Sequence, residues 1–115
     1  MVIRDIAELI GGEILVGHEY LERDVKAAFG SDLMSDVLAY VGDETVLLTG
    51  LTNHQVVRTA EMLDLKAIVF VRGKYPPEDV VSLAKEQGIV LIATTHTLYT
   101  ASGILYCNGL QGISK

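Results

Sequence analysis

Apolar residues recur along the chain in two spacings, one typical of helices and one typical of buried strands. Five segments place apolar residues three and four positions apart, which predicts helices that bury one face. These segments are residues 3–10, 34–41, 56–63, 77–87 and a last one that begins between 95 and 97 and extends through Leu105. Five shorter segments are rich in Val, Ile, Leu and Ala, which predicts strands. These are residues 13–16, 25–29, 45–49, 67–71 and 89–93.

The strand segments are mostly continuous apolar runs, which indicates a sheet covered on both faces. Helices separate most of them, as in parallel βαβ crossovers. The sequence therefore predicts fold class α/β: a three-layer sandwich with a mostly parallel sheet and helices on both faces, forming a single domain over residues 1–115. Right-handed crossovers are expected to put the carboxyl end of every strand at one edge of the sheet.

Composition excludes several classes of protein. The chain has 115 residues and a formal net charge of −6, with a pI near 4.9. No basic run is present to hold nucleic acid or an anionic membrane, so neither is expected as a partner. The apolar runs fall far short of the roughly 20 residues that span a bilayer, and a cytoplasmic location is expected. The single cysteine, Cys107, is expected to be a small buried hydrophobe.

The loops that follow the strands carry the candidate binding residues. In an open parallel sheet, ligands bind outside the carboxyl ends of the strands, where loops and helix N-termini present amides. The residues predicted to face a ligand are Thr49, Gly50, Asn53, Arg72, Gly73, Thr95 and His96. Amides after Thr49 and Thr94, with charge from Arg72 or Lys74, would suit a small anionic or nucleotide-like ligand. Alternatively, the Ser, Thr, Asn and Asp residues of these loops are helix caps and turn formers; Ser31 or Asp32 would cap the second helix.

The sequence completes no catalytic signature. It contains no P-loop and no G-x-G-x-x-G after a strand. Its histidines, His18, His54 and His96, lie on three separate loops without metal-ligand spacing, so no metal site and no cofactor are predicted. The alternative is a small hydrolase or transferase in which His54 or His96 acts as general base toward a nearby Thr or Ser.

Charge is missing from the C-terminal part of the chain. Residues 87–114, 28 in a row, contain no Asp, Glu, Lys or Arg. A surface helix of a monomer normally carries charges on its outer face, whereas neutral surfaces that keep tyrosine are typical of interface cores. The sequence predicts a homodimer through Leu98, Tyr99, Ala101, Ile104, Leu105 and Tyr106. Alternatively, the last helix is sandwiched inside one small domain.

Four segments resemble a known family. Residues 6–17 read IAELIGGEILVG, residues 21–25 read LERDV, residues 48–50 read LTG, and residues 95–102 read THTLYTAS. In order and spacing, across residues 3–106, they resemble a DRTGG domain. DRTGG domains accompany CBS-regulated pyrophosphatases and phosphotransacetylases as non-catalytic modules, and are similar to the N-terminal domain of HPr kinase/phosphorylase. The resemblance implies a regulatory or dimerising α/β module without enzymatic activity.

The chain departs from the family at the residues that give it its name. Thr52 and Asn53 stand where the family tends to carry Asp-Arg, and residues 71–73 read VRG where it carries Thr-Gly-Gly. We therefore predict a non-catalytic module that homodimerises and acts on a partner protein or senses a small anionic ligand. A purely structural dimerisation domain, with no pocket at the strand edge, is a further alternative.

Overall fold

The computed structural model describes residues 1–113. The chain forms five α-helices, six strands and a short 3-10 turn at His18–Tyr20. In chain order they are α1 (Ile3–Leu9), β1 (Glu13–Val16), β2 (Ala27–Gly30), α2 (Met34–Tyr40), β3 (Thr45–Thr49), α3 (His54–Met62), β4 (Ala67–Phe70), α4 (Glu78–Gln87), β5 (Val90–Ala93), α5 (Leu98–Cys107) and β6 (Gln111–Gly112). All five predicted helices and all five predicted strands are present, with shifts of a few residues at their ends.

One sheet contains all six strands, in the order β1-β5-β4-β3-β2-β6. Strands β2 to β6 are parallel, which confirms the predicted fold class. Strand β1 pairs antiparallel with β5, so the prediction that every strand ends at one edge is wrong for β1. No single crossover helix joins β1 to β5, so nothing in the connection requires these two strands to be parallel. Strand β6, two residues long, is too short to show a pattern in the sequence.

Helices cover both faces of the sheet. One core lies between the sheet and helices α1 and α5, and the other lies between the sheet and helices α2, α3 and α4. Strands β3, β4 and β5 are buried along their whole length, because side chains on both of their faces meet a helix layer. This explains why these strands are continuous apolar runs in the sequence.

The ends of α4 follow local sequence chemistry. Its first helical residue comes directly after Pro77, whose φ of −59° suits a helix start. It ends at Gly88, which takes a left-handed conformation with φ of 67°, as residues just past a helix commonly do. The acidic residues Glu78 and Asp79 lie in the first turn and Lys85 lies in the last. These charges interact favourably with the positive and negative ends of the helix dipole.

Candidate functional site

The switch point of the sheet lies between β4 and β5. After β4 the chain turns to α4 on one face, and after β5 it turns to α5 on the opposite face, which is the arrangement that opens a ligand crevice in α/β sheets. Here the two loops bond to each other: the amide of Arg72 donates to the carbonyl of His96 at 2.8 Å, and that of Gly73 to Thr94 at 2.9 Å. Backbone hydrogen bonds therefore bridge this crevice.

Asp32 links the ends of β2 and β3. Its Oδ1 accepts hydrogen bonds from the Gly50 amide at 2.6 Å and from Thr49 Oγ1 at 3.0 Å. The prediction that Ser31 or Asp32 caps α2 is wrong, because no side chain caps this helix. Ser31 Oγ accepts from the amide of Leu33 at 3.0 Å, just before the first turn of α2. The second carboxylate oxygen of Asp32, Oδ2, accepts no hydrogen bond within residues 1–113.

Arg72 holds its guanidinium over Gly50. A Cβ at Gly50 would lie 2.5 Å from Arg72 Nη2 and 3.3 Å from Asp32 Oδ2, so glycine leaves the space that the guanidinium occupies. Arg72 has φ of 63° and Gly73 has φ of 68°, and the amide of Lys74 donates to the carbonyl of Val71 at 3.3 Å. Arg72 is thus a non-glycine residue at a left-handed position of a tight turn. In the described part of the chain its guanidinium makes no hydrogen bond or ion pair.

The seven predicted ligand-facing residues do not all converge. Thr49, Gly50 and Arg72 meet around Asp32, and Gly73 and His96 join them through the loop-to-loop backbone bonds. Thr95 is exposed, and Asn53 is exposed at the start of α3 with no side-chain capping bond. Asp32 is absent from the predicted set. The signal that could have identified Asp32 is its place in the loop after β2, the strand that precedes β3 in the chain.

Three of the amides that follow Thr49 and Thr94 have partners inside the chain. The amide of Gly50 donates to Asp32, and that of Leu51 donates to Thr49 Oγ1 at 3.2 Å. The amide of His96 donates to Thr94 Oγ1 at 3.3 Å. Side chains at the strand ends therefore satisfy these three amides inside the chain. No side chain caps the N-termini of α3 and α5, and anion binding at those two helix starts stays a prediction.

The histidines lie apart from one another. His54 Nε2 contacts Asp79 Oδ2 at 3.1 Å, which joins the starts of α3 and α4 at the surface. The side chain of His96 is half buried and makes no hydrogen bond within the described residues. Neither ring bonds to a Ser or Thr hydroxyl, which is the arrangement that the general-base alternative requires. Among residues 1–113, no three His, Cys, Asp or Glu side chains are grouped to hold a metal ion.

A concave surface, the α5 groove, lies between α5 and the β2–β6 edge of the sheet. It has a volume of about 330 Å³. Its lining contains no charged residue: Ala28, Phe29, Gly30, Leu48, Tyr99, Ser102, Gly103, Leu105, Tyr106, Cys107, Leu110, Gln111 and Gly112. Cys107 is exposed, so the prediction that it is buried is wrong: α5 turns it to the side that faces away from the core.

The structure divides the residues predicted for a dimer interface. Ala101 and Leu105 are buried against the sheet, and Leu98 and Ile104 pack half buried beside them. Tyr99 and Tyr106 point outward, with 89% and 64% of their surfaces exposed. The surface available to a second chain therefore consists of the two tyrosines and the groove, not of the whole helix. No helix within residues 1–113 has the length and apolar character needed to cross a bilayer.

Comparison with known proteins identifies the family. The sequence model of the DRTGG domain matches residues 5–106. The chain belongs to the DRTGG domain family. No curated protein sequence matches it. The predicted similarity of this DRTGG domain to the N-terminal domain of HPr kinase/phosphorylase remains a prediction.

A solved structure shares the fold of this DRTGG domain. It contains the CBS and DRTGG domains of the regulatory region of Clostridium perfringens pyrophosphatase, complexed with the activator diadenosine tetraphosphate. The TM-score is 0.72 at 16% sequence identity, over 90% of the present chain and 45% of that chain. The present chain thus spans less than half of its structural neighbour. At this identity the likeness establishes the fold alone.

Proposed function

We propose that this DRTGG domain is a non-catalytic cytoplasmic regulatory module that forms a homodimer through the α5 groove and responds to a small anionic or nucleotide-like ligand at the strand-end edge. A partner protein would receive the response. The observation that carries the proposal is the uncharged groove beside α5, with two exposed tyrosines on its rim. Aromatic residues without charge are typical of the buried centre of an interface.

A second copy is the occupant that suits this groove. Two chains that each carry a net charge of −6 repel each other, so the approach costs least across a surface without charges. Identical chains most often pair about a two-fold axis, which brings the same patch together from both sides. In that arrangement Tyr99 and Tyr106 of one protomer would reach the groove of its partner, where a concave apolar surface receives a protruding aromatic one.

The strand-end edge supports the ligand part of the proposal. Arg72 presents a guanidinium without a partner in the described residues, next to a carboxylate oxygen that also lacks one. Free donors and acceptors that meet at the carboxyl ends of parallel strands are typical of binding sites. The activator complex of the pyrophosphatase regulatory region supports a regulatory role for a domain of this family.

The molar mass in solution tests the homodimer. The chain mass is 12.5 kDa, and we expect light scattering after size exclusion to give twice that value at micromolar concentration. Tyr106→Glu places a charge on the rim of the groove and is expected to give the monomer mass. Met62→Glu is the matched control, because Met62 is also exposed, at 74%, but lies on α3 on the opposite face. A monomeric wild type, or a Tyr106→Glu variant that stays dimeric, would contradict the proposal.

A further inference from the structure

The geometry points to a ligand that offers a vicinal diol to Asp32 and Arg72, the group found on the ribose of a nucleotide or on a sugar phosphate. This inference rests on the proposed ligand response of the strand-end edge and names the chemistry that the edge recognises. It uses two atoms that the fold leaves without partners, Asp32 Oδ2 and Arg72 Nη2, and the gap between them.

The gap between the two atoms lies within a range that one bridging hydroxyl group can span. Arg72 Nη2 and Asp32 Oδ2 lie 2.5 and 3.3 Å from one common point above Gly50, so they are at most 5.8 Å apart. They form no ion pair within 4.0 Å. An oxygen that makes two hydrogen bonds of about 2.8 Å spans a gap of up to roughly 5.6 Å. A hydroxyl oxygen between them would accept from the guanidinium and donate to the carboxylate.

Charge favours a hydroxyl over a bare anion at this place. A phosphate bound to Arg72 alone would lie beside the Asp32 carboxylate, and two negative charges so close repel each other. A hydroxyl group carries both a donor and an acceptor, so it satisfies both partners without repulsion. A vicinal diol presents two hydroxyl groups side by side. One can bridge the Asp32 carboxylate and the Arg72 guanidinium, and the other can accept from a further guanidinium N–H.

The fold holds the Asp32 carboxylate and the backbone of Arg72 in place before a ligand arrives. Asp32 Oδ1 is fixed by the Gly50 amide and Thr49 Oγ1, which leaves Oδ2 as the free oxygen. Arg72 is fixed at its backbone, because its amide donates to His96 and its turn is closed by the amide of Lys74. Preorganised partners lose less freedom when they bind. Asp32 and Arg72 are both exposed, so a ligand can reach this partly preformed pair from solvent.

Four probes in isothermal titration calorimetry test the ligand chemistry. They are adenosine monophosphate, ribose 5-phosphate, 2′,3′-dideoxyadenosine monophosphate and inorganic phosphate. We expect the nucleotide to bind, and the dideoxy nucleotide and inorganic phosphate to bind at least about tenfold more weakly, because each lacks hydrogen bonds to a charged partner. Binding of ribose 5-phosphate as tightly as the nucleotide assigns the site to sugar phosphates, whereas weaker binding assigns it to nucleotides; either result supports the diol.

Two variants test the residues. Asp32→Asn keeps an oxygen for Gly50 and Thr49 but turns the free acceptor into a donor. We expect it to weaken binding of the diol probe about tenfold and to strengthen binding of inorganic phosphate, since it removes a negative charge. Gly50→Ala displaces the Arg72 guanidinium and is expected to weaken every probe. Gly42→Ala is its control, because nothing lies within 4 Å of a Cβ at that position.

The outcomes separate this inference from the proposed function. Inorganic phosphate that binds as tightly as the nucleotide, or an Asp32→Asn variant that keeps the preference of the wild type, overturns the diol and leaves a ligand-responsive module in place. No binding of any of the four probes overturns the diol and the ligand part of the proposed function together. The homodimer is tested separately, by the molar mass in solution.

Discussion

Replacing Arg72 by glycine is expected to make the protein more stable. Arg72 has φ of 63°, a conformation in which an L-residue other than glycine costs roughly 1–2 kcal/mol. Glycine removes this cost but adds freedom to the unfolded chain, which takes back part of the gain. The guanidinium makes no hydrogen bond or ion pair within residues 1–113, so the substitution loses little else. The free energy of unfolding is expected to rise by about 1 kcal/mol.

Urea denaturation followed by circular dichroism measures this change. A gain of about 1 kcal/mol lowers the unfolding equilibrium constant about fivefold and raises Tm by roughly 4 °C in a domain of this size. The denaturation slope is expected to stay the same, because the exposed surface does not change. The same variant is expected to lose the ligand response, since it removes the guanidinium. Strain that is retained at a binding position is a common compromise between stability and function.

Arg72→Ala is the control that separates strain from side-chain contacts. Alanine keeps the Cβ and the left-handed φ but removes the guanidinium, so its stability is expected to lie within about 0.5 kcal/mol of the wild type. Asp64→Gly is a second control at the other non-glycine residue with positive φ, 56°. A smaller gain is expected there because Asp tolerates this conformation better. The reasoning fails if Arg72→Gly is less stable than the wild type or if Arg72→Ala gains as much.

Three further outcomes follow from single contacts. Thr94→Val is expected to lower the free energy of unfolding by about 1–3 kcal/mol in a denaturation experiment. The buried Thr94 hydroxyl donates to the Ile10 carbonyl at 2.8 Å, and valine leaves that acceptor without a partner. An unchanged free energy of unfolding would contradict this. The hydrogen bond to Glu13 and the negative charge of Glu13 raise the pKa of Tyr75 above its ordinary value of 10.0. The Tyr75–Glu13 contact therefore stabilises the fold below pH 10.0, and this stabilisation is lost as the pH rises through the raised pKa. Glu13→Gln is expected to bring the ultraviolet titration of Tyr75, isolated by subtracting that of Tyr75→Phe, back toward its ordinary value; an unchanged titration would refute the contact. Gly17→Ala is expected to lower the free energy of unfolding by roughly 2–3 kcal/mol. Gly17 has φ of 95°, and an added Cβ would lie 2.9 Å from a Cα of β5. A variant as stable as the wild type would refute the clash.

Most of the fold is legible in the sequence because burial on both faces leaves a clear pattern. The three central strands are continuous apolar runs, and the limits of α4 follow from Pro77 and Gly88. The direction of β1 is not legible, since the same apolar run suits a parallel or an antiparallel edge strand. The exposure of Cys107 cannot be read from the sequence either, because its predicted burial rests on residue type alone, whereas α5 places it on an exposed side.

The candidate site was predicted in part. Residue types in the strand-end loops indicated Thr49, Gly50 and Arg72, and the structure brings these three together. Sequence spacing does not show which loops are neighbours, so the link from Asp32 to Gly50, 18 positions later, required the pairing of β2 with β3. Nor does it show that side chains satisfy the amides of Gly50, Leu51 and His96.

A sedimentation velocity dilution series on the wild-type protein tests the central claim, a self-associating regulatory module, most directly. We expect a single species of twice the 12.5 kDa chain mass at micromolar concentration, with dissociation toward the monomer on dilution. A monomer at every concentration, up to the highest that stays in solution, would contradict the account, because the uncharged α5 groove and its tyrosines would then have no second copy to cover them.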